Sequence, residues 1–177
     1  MIKKLIALAG AACFSALPSH ARIETGTGDL LRQMDSLGVN VKEGTQANCK
    51  GAMGLISLAG RNNISIDICF KDTPTANDHD TVRHEAWHLV QYCSMLTRGG
   101  GTRLPSYYQD RDEYIQFVHS NLNGDTIERI SRMYPSHQHV AEFEAFAAAK
   151  AFTAVEIGSI LRKTCTGVIG LPKTLQA

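Results

Sequence analysis

His84-Glu85-Ala86-Trp87-His88 sits in the middle of a helix that the sequence predicts over about Thr81 to Leu96. Two histidines four residues apart lie one above the other on the same helical face. Their ring nitrogens can converge on one ion, and imidazole is a common ligand for zinc. Glu85, one residue after the first histidine, is placed to reach a water at an open position on such an ion. Along the same helix Val82, Ala86, Leu89, Cys93 and Leu96 recur at three- and four-residue spacing and form the expected core face. His84, His88 and Gln91 fall on a neighbouring face, which suits a site at the edge of the core. Trp87 is expected to pack.

Upstream of this helix, Ile64-Ser65-Ile66-Asp67-Ile68-Cys69-Phe70 alternates apolar and polar residues, which is the period of a half-buried strand. The apolar run Ala52 to Ala59 and the turn cluster Gly60-Arg61-Asn62-Asn63 complete a β-hairpin. Val39-Asn40-Val41 reads as a further strand, after a short helix from Leu30 to Leu37 that Thr27 or Asp29 can cap and Gly38 ends. Lys71 to Asp80, polar and carrying Pro74, reads as a connecting loop.

Downstream, Arg98-Gly99-Gly100-Gly101 ends the central helix and opens a loop to Tyr108, a candidate lid. Asp110 with Glu113, and Asp125 with Glu128, resemble capping boxes opening helices to Leu122 and Tyr134. Ser136 then caps a single long helix from about His137 to Leu161, and the tail beyond Lys163 is expected to be irregular. The fold class is therefore α+β: a small antiparallel sheet with the histidine helix packed on it, and a mainly helical C-terminal half.

The chain has 177 residues, the size of one domain. Lys3 and Lys4, the apolar run Leu5 to Leu17, and Pro18-Ser19-His20-Ala21 have the layout of a secretory signal peptide cleaved after Ala21. The apolar run is short for a bilayer span, so no stable membrane insertion is expected after cleavage. Residues 22–177 are then a single exported domain, secreted or periplasmic. Losing Lys3 and Lys4 leaves 16 basic against 17 acidic side chains, a balance that calls for neither nucleic acid nor anionic lipid. Four cysteines remain, an even number that suggests two disulfides in an oxidising compartment. The hairpin brings Cys49 and Cys69 together, and Cys165 at the start of the tail is expected to pair with Cys93 on the central helix.

A catalytic zinc takes three protein ligands and keeps one position open. No third histidine follows closely after His88. The last helix carries Glu142 and Glu144, and residues two apart on a helix point about 200° from each other, so only one can join the ion. A helical wheel does not choose. The apolar face through Phe143, Phe146 and Ala147 lies midway, and each glutamate borders one shoulder.

His84-Glu85-x-x-His88 followed by a helix with Glu142-x-Glu144-Ala145 resembles the gluzincin class of zinc metallopeptidases in a compact form, over roughly residues 64 to 151. The resemblance implies a zincin-like fold and a strand, Ile64 to Cys69, that edges the active site and pairs with extended substrate. It implies Glu142 as the third zinc ligand, with Glu144 the alternative. It also implies peptide-bond hydrolysis of a peptide or protein substrate by a zinc-bound water, with Glu85 as general base. Peptidoglycan peptides are included in that expectation. In many gluzincins an aspartate four residues after the ligand glutamate orients a ligand histidine. Phe146 stands there, so that support must come from elsewhere. Tyr107, Tyr108, Tyr134, His137 and His139 are candidates to steady an oxyanion. The competing readings are a non-catalytic zinc-binding or partner-binding domain on a peptidase scaffold, and a purely structural domain held by disulfides.

Overall fold

A computed structural model describes residues 26–49, 52–69, 75–101 and 103–170. The expected leader at residues 1–21, Phe70 at the end of the expected strand, Lys71 to Pro74 of the connecting loop, and the tail beyond Gly170 lie outside the described residues. The described residues form an α+β domain of six α-helices and three strands: α1 (Thr27–Ser36), β1 (Asn40–Glu43), β2 (Gly54–Leu58), β3 (Ile64–Ile68), α2 (Ala76–Thr97), α3 (Arg111–Asn121), α4 (Gly124–Met133), α5 (His139–Ala151) and α6 (Ala154–Cys165). None of these helices is long and apolar enough to cross a membrane.

The hairpin forms as expected, with Ile56 opposite Ile66 and Leu58 opposite Ile64. The sheet is nevertheless mixed, because β1 pairs with β3 in parallel, Val41 opposite Ile66. The order β1-β3-β2 explains this. Glu43, the end of β1, and Gly54, the start of β2, both pair with Ile68, so the chain crosses the end of β3 between them. It then descends β2 and returns along β3 in the direction of β1. β3 is therefore central, and Ile64, Ile66 and Ile68 are buried. The Cys49–Cys69 disulfide, with Cα atoms 6.1 Å apart, closes the end of the sheet where that crossing occurs.

Helix α2 begins five residues before the expected start. Thr75 caps it by accepting from the Asp78 amide, while the Asp78 carboxylate accepts from the Thr75 amide at 2.6 Å. This capping box satisfies the first donors of a polar, exposed turn that carries no apolar periodicity to betray it. From Val82 to Ser94 every residue of α2 is buried, so the helix is covered on all sides rather than along one stripe. Trp87 is fully buried, as a packing residue should be.

The long C-terminal helix is two helices. Phe152 adopts an extended conformation, and Thr153 caps α6 through a second capping box with Glu156. Phe152 stacks on both Trp87 and Phe117, with ring centroids 5.5 and 5.6 Å away. Arg83 reaches from α2 to donate to the Ala149 carbonyl at 2.9 Å, one of the last-turn acceptors that α5 cannot bond internally. Asn123, not Asp125, caps α4. The residues after Lys163 stay helical to Cys165, where the second expected disulfide joins Cys93, Cα atoms 5.2 Å apart.

Candidate metal centre

Helices α2 and α5 pack directly on each other, and the alanines at 141, 145, 148 and 149, all buried, keep them close. Across that contact Glu142 faces both histidines. His84 Nε2 lies 3.3 Å from Glu142 Oε2, His88 Nε2 lies 3.4 Å from Glu142 Oε1, and the two Nε2 atoms are 3.0 Å apart. All three residues are buried. Among the described residues this is the group of His, Cys, Asp and Glu side chains that could hold a metal ion.

The donor set fits a cation on two counts. Glu142 Oε2 is buried with no hydrogen-bond donor, although it faces a ring nitrogen. The separations also suit one small ion, since metal–ligand bonds of about 2.0–2.1 Å in a tetrahedron place ligand atoms about 3.3–3.4 Å apart. The same closeness couples the protonation of the three side chains. Burial alone would lower the His88 pKa, but the hydrogen bond and charge of Glu142 and the charge of Glu85 outweigh it and raise it to about 9. Burial would likewise raise Glu142, yet the two histidines hold its carboxyl at about 2.

Glu144 has a different task. It is fully buried on the other shoulder of α5, where its carboxylate accepts from Trp87 Nε1 at 2.8 Å and from the Tyr107 amide at 3.0 Å. Burial pushes its carboxyl above the usual carboxylate range, against the pull of those donors. Arg98 grips the same peptide by donating to the Ser106 and Tyr107 carbonyls. The far end of the glycine-rich loop is therefore clamped to the helices.

Gln91 supplies an outer-layer contact that the sequence alone left without an owner. Its side-chain nitrogen donates to the Ala141 carbonyl on α5 at 3.1 Å, and its oxygen lies 2.8 Å from His88 Nδ1. By contrast His84 Nδ1 is buried without a partner, and Phe146 packs against that ring with centroids 4.4 Å apart.

Glu85 is buried beside the trio, its carboxylate against the first residue of β2. A Cβ built on Gly54 would sit 2.6 Å from Glu85 Oε1. The strand that edges this region is thus β2; the expected edge, β3, is central, because β1 covers its other side.

Of the five aromatic and histidine candidates, Tyr134 is the one tied electrostatically to the trio. Its ring packs edge-on against Phe146, and burial together with the charges of Glu142 and Glu85 raises its hydroxyl to about 12. His139 is committed to the Tyr134 carbonyl at 2.8 Å, and His137 is exposed on the 3-10 turn before α5. Tyr107 packs on Trp87, and Tyr108 on Phe117, on the Glu144 side.

Comparison of the chain with protein-family models, with curated proteins and with solved structures finds no match.

Proposed function

We propose that this chain is an exported zinc-dependent peptidase of gluzincin type, with zinc held by His84, His88 and Glu142 and with Glu85 as general base. The observation that carries the reading is Glu85 itself. Holding a metal needs only the three ligands, yet a fourth ionisable side chain is buried beside them and given room by a glycine on the facing strand.

Bound zinc would supply Lewis acidity, polarising a carbonyl and acidifying a coordinated water. The rest of the chemistry falls to the chain. The Glu85 carboxylate takes a proton from the attacking water and passes it to the leaving amine. Tyr134, protonated across the neutral range and coupled to Glu142 and Glu85, is the candidate donor to steady the oxyanion. The two disulfides support the export reading, since such bonds persist in oxidising compartments.

The test is zinc content and chelator-sensitive cleavage of an unstructured protein in wild type and Glu85→Gln. The expected result is one zinc in each and hydrolysis in the wild type alone. A second reading, a zinc-binding domain without hydrolysis, draws on the unsupported His84 Nδ1 and the phenylalanine beside it. It requires zinc in both proteins and cleavage in neither.

A further inference from the structure

We infer that Gln91 is the positioning residue of this metal centre, setting the tautomer of His88 and fixing the helix that brings Glu142; the inference rests on the zinc-site reading above.

The orientation of the Gln91 amide is not free. The Ala141 carbonyl can only accept, so the Gln91 nitrogen must face it at 3.1 Å. The Gln91 oxygen is thereby turned to His88, 2.8 Å away, where it can only accept. His88 then carries a proton on Nδ1, so that once zinc takes the place of the second ring proton it is the Nε2 lone pair, facing Glu142 and His84, that is offered. Ala141 directly precedes Glu142, so the same amide ties down the first turn of α5 next to the ligand carboxylate. Gln91 is wholly buried and lies one turn beyond His88, so both hydrogen bonds are made where water cannot replace them.

His84 has no such support. Its Nδ1 is unpartnered, and a phenylalanine ring fills the neighbouring space. The two ligand histidines are therefore held by different means: His88 by a hydrogen-bond relay that reaches the partner helix, His84 by packing.

Zinc affinity, read by competition with a chromophoric chelator, tests this in wild type, Gln91→Met and Gln91→Glu. Methionine keeps the length and apolar stem but makes neither bond. Its affinity should fall about 10–100-fold, the usual range for losing such a contact. Glutamate retains an acceptor for Nδ1–H but loses the donor to Ala141, so its affinity should fall by less than that of the methionine variant. Equal losses in both variants, or no loss in the methionine variant, overturns the inference in favour of plain packing. A measurement without any variant guards against a methionine protein that does not fold. In the zinc-loaded wild type, the His88 Nδ1 proton should exchange with solvent more slowly by NMR than the His84 Nδ1 proton, and equal rates refute the relay. A wild type that takes up no zinc overturns the metal reading and this inference with it, an outcome distinct from the variant results.

Discussion

Gly54 and Glu85 are in contact across the β2–α2 boundary: a methyl group on Gly54 would lie 2.6 Å from Glu85 Oε1 and 2.9 Å from Glu85 Cγ. A second obstacle, Thr81 Cγ2, is also 2.6 Å away, so the strand cannot simply slide aside. Gly54→Ala must move the carboxylate. Misplacing a catalytic group by about 1 Å costs up to about 100-fold in rate. The expected outcome is hydrolysis reduced at least about tenfold with zinc content unchanged, because the atoms nearest a methyl group at Gly54 belong to Glu85 and Thr81 and to none of the three proposed ligands. Parallel measurement of zinc stoichiometry and peptide cleavage checks it, and full activity would show that Glu85 is not positioned by this strand.

The two glutamates of α5 should separate cleanly. Glu142→Ala removes a proposed ligand and should abolish zinc binding. Glu144→Ala should keep the metal but strand buried donors, Trp87 Nε1 and the Tyr107 amide among them, at a cost of about 2–4 kcal/mol. Urea unfolding and zinc analysis of both variants report the two effects independently. Loss of zinc in the Glu144 variant alone would reverse the assignment.

Much of this centre could be read from spacing alone, because His84, Glu85 and His88 lie within one turn and their geometry is fixed by the helix. Glu142 and Glu144 could not be told apart in that way. A wheel gives angles about the helix's own axis but not where a neighbour lies, and both residues turn out to face α2, one at His84 and His88, the other at Trp87. Gln91 stood at a suggestive interval from His88, but its role depends on the Ala141 carbonyl fifty residues on. The break at Phe152 was marked by Thr153 with Glu156, a capping box hidden under alanine-rich periodicity that runs through it. The parallel pairing of β1 left no local trace, since it depends on where a distant strand lies in the sheet.

The metal-free protein should be most stable in mildly acidic solution. His88 is raised from 6.5 to about 9, so its contribution is fully present below 6.5 and is lost as pH rises through about 9. Glu142 is lowered from 4.5 to about 2, so its contribution is present above 4.5 and is lost as pH falls through about 2. The two windows overlap between 4.5 and 6.5. If zinc binds as proposed it displaces the His88 proton, so its stabilisation should grow as pH rises. Thermal melts of metal-free and zinc-loaded protein from acid to mildly alkaline pH should show a zinc-induced rise in Tm that is larger above neutrality. A rise independent of pH would mean that the ion does not compete with this proton.

The break between α5 and α6 is set by two neighbours of unequal weight. Thr153 caps α6, and a Thr→Ala change at an N-cap costs about 1 kcal/mol. Phe152 holds the chain extended by stacking between Trp87 and Phe117, and truncating it opens space beside a fully buried tryptophan. Phe152→Ala should cost about 2–4 kcal/mol, less than a fully buried phenylalanine because the ring is partly exposed. Both variants should still bind zinc, since α5 remains tied to α2 through Arg83 at its last turn and Gln91 at its first. Denaturant midpoints read the first expectation and chelator competition the second. If Phe152→Ala weakened zinc binding as much as it weakened the fold, the break itself, rather than those two hydrogen bonds, would be what holds Glu142 in register with the histidines.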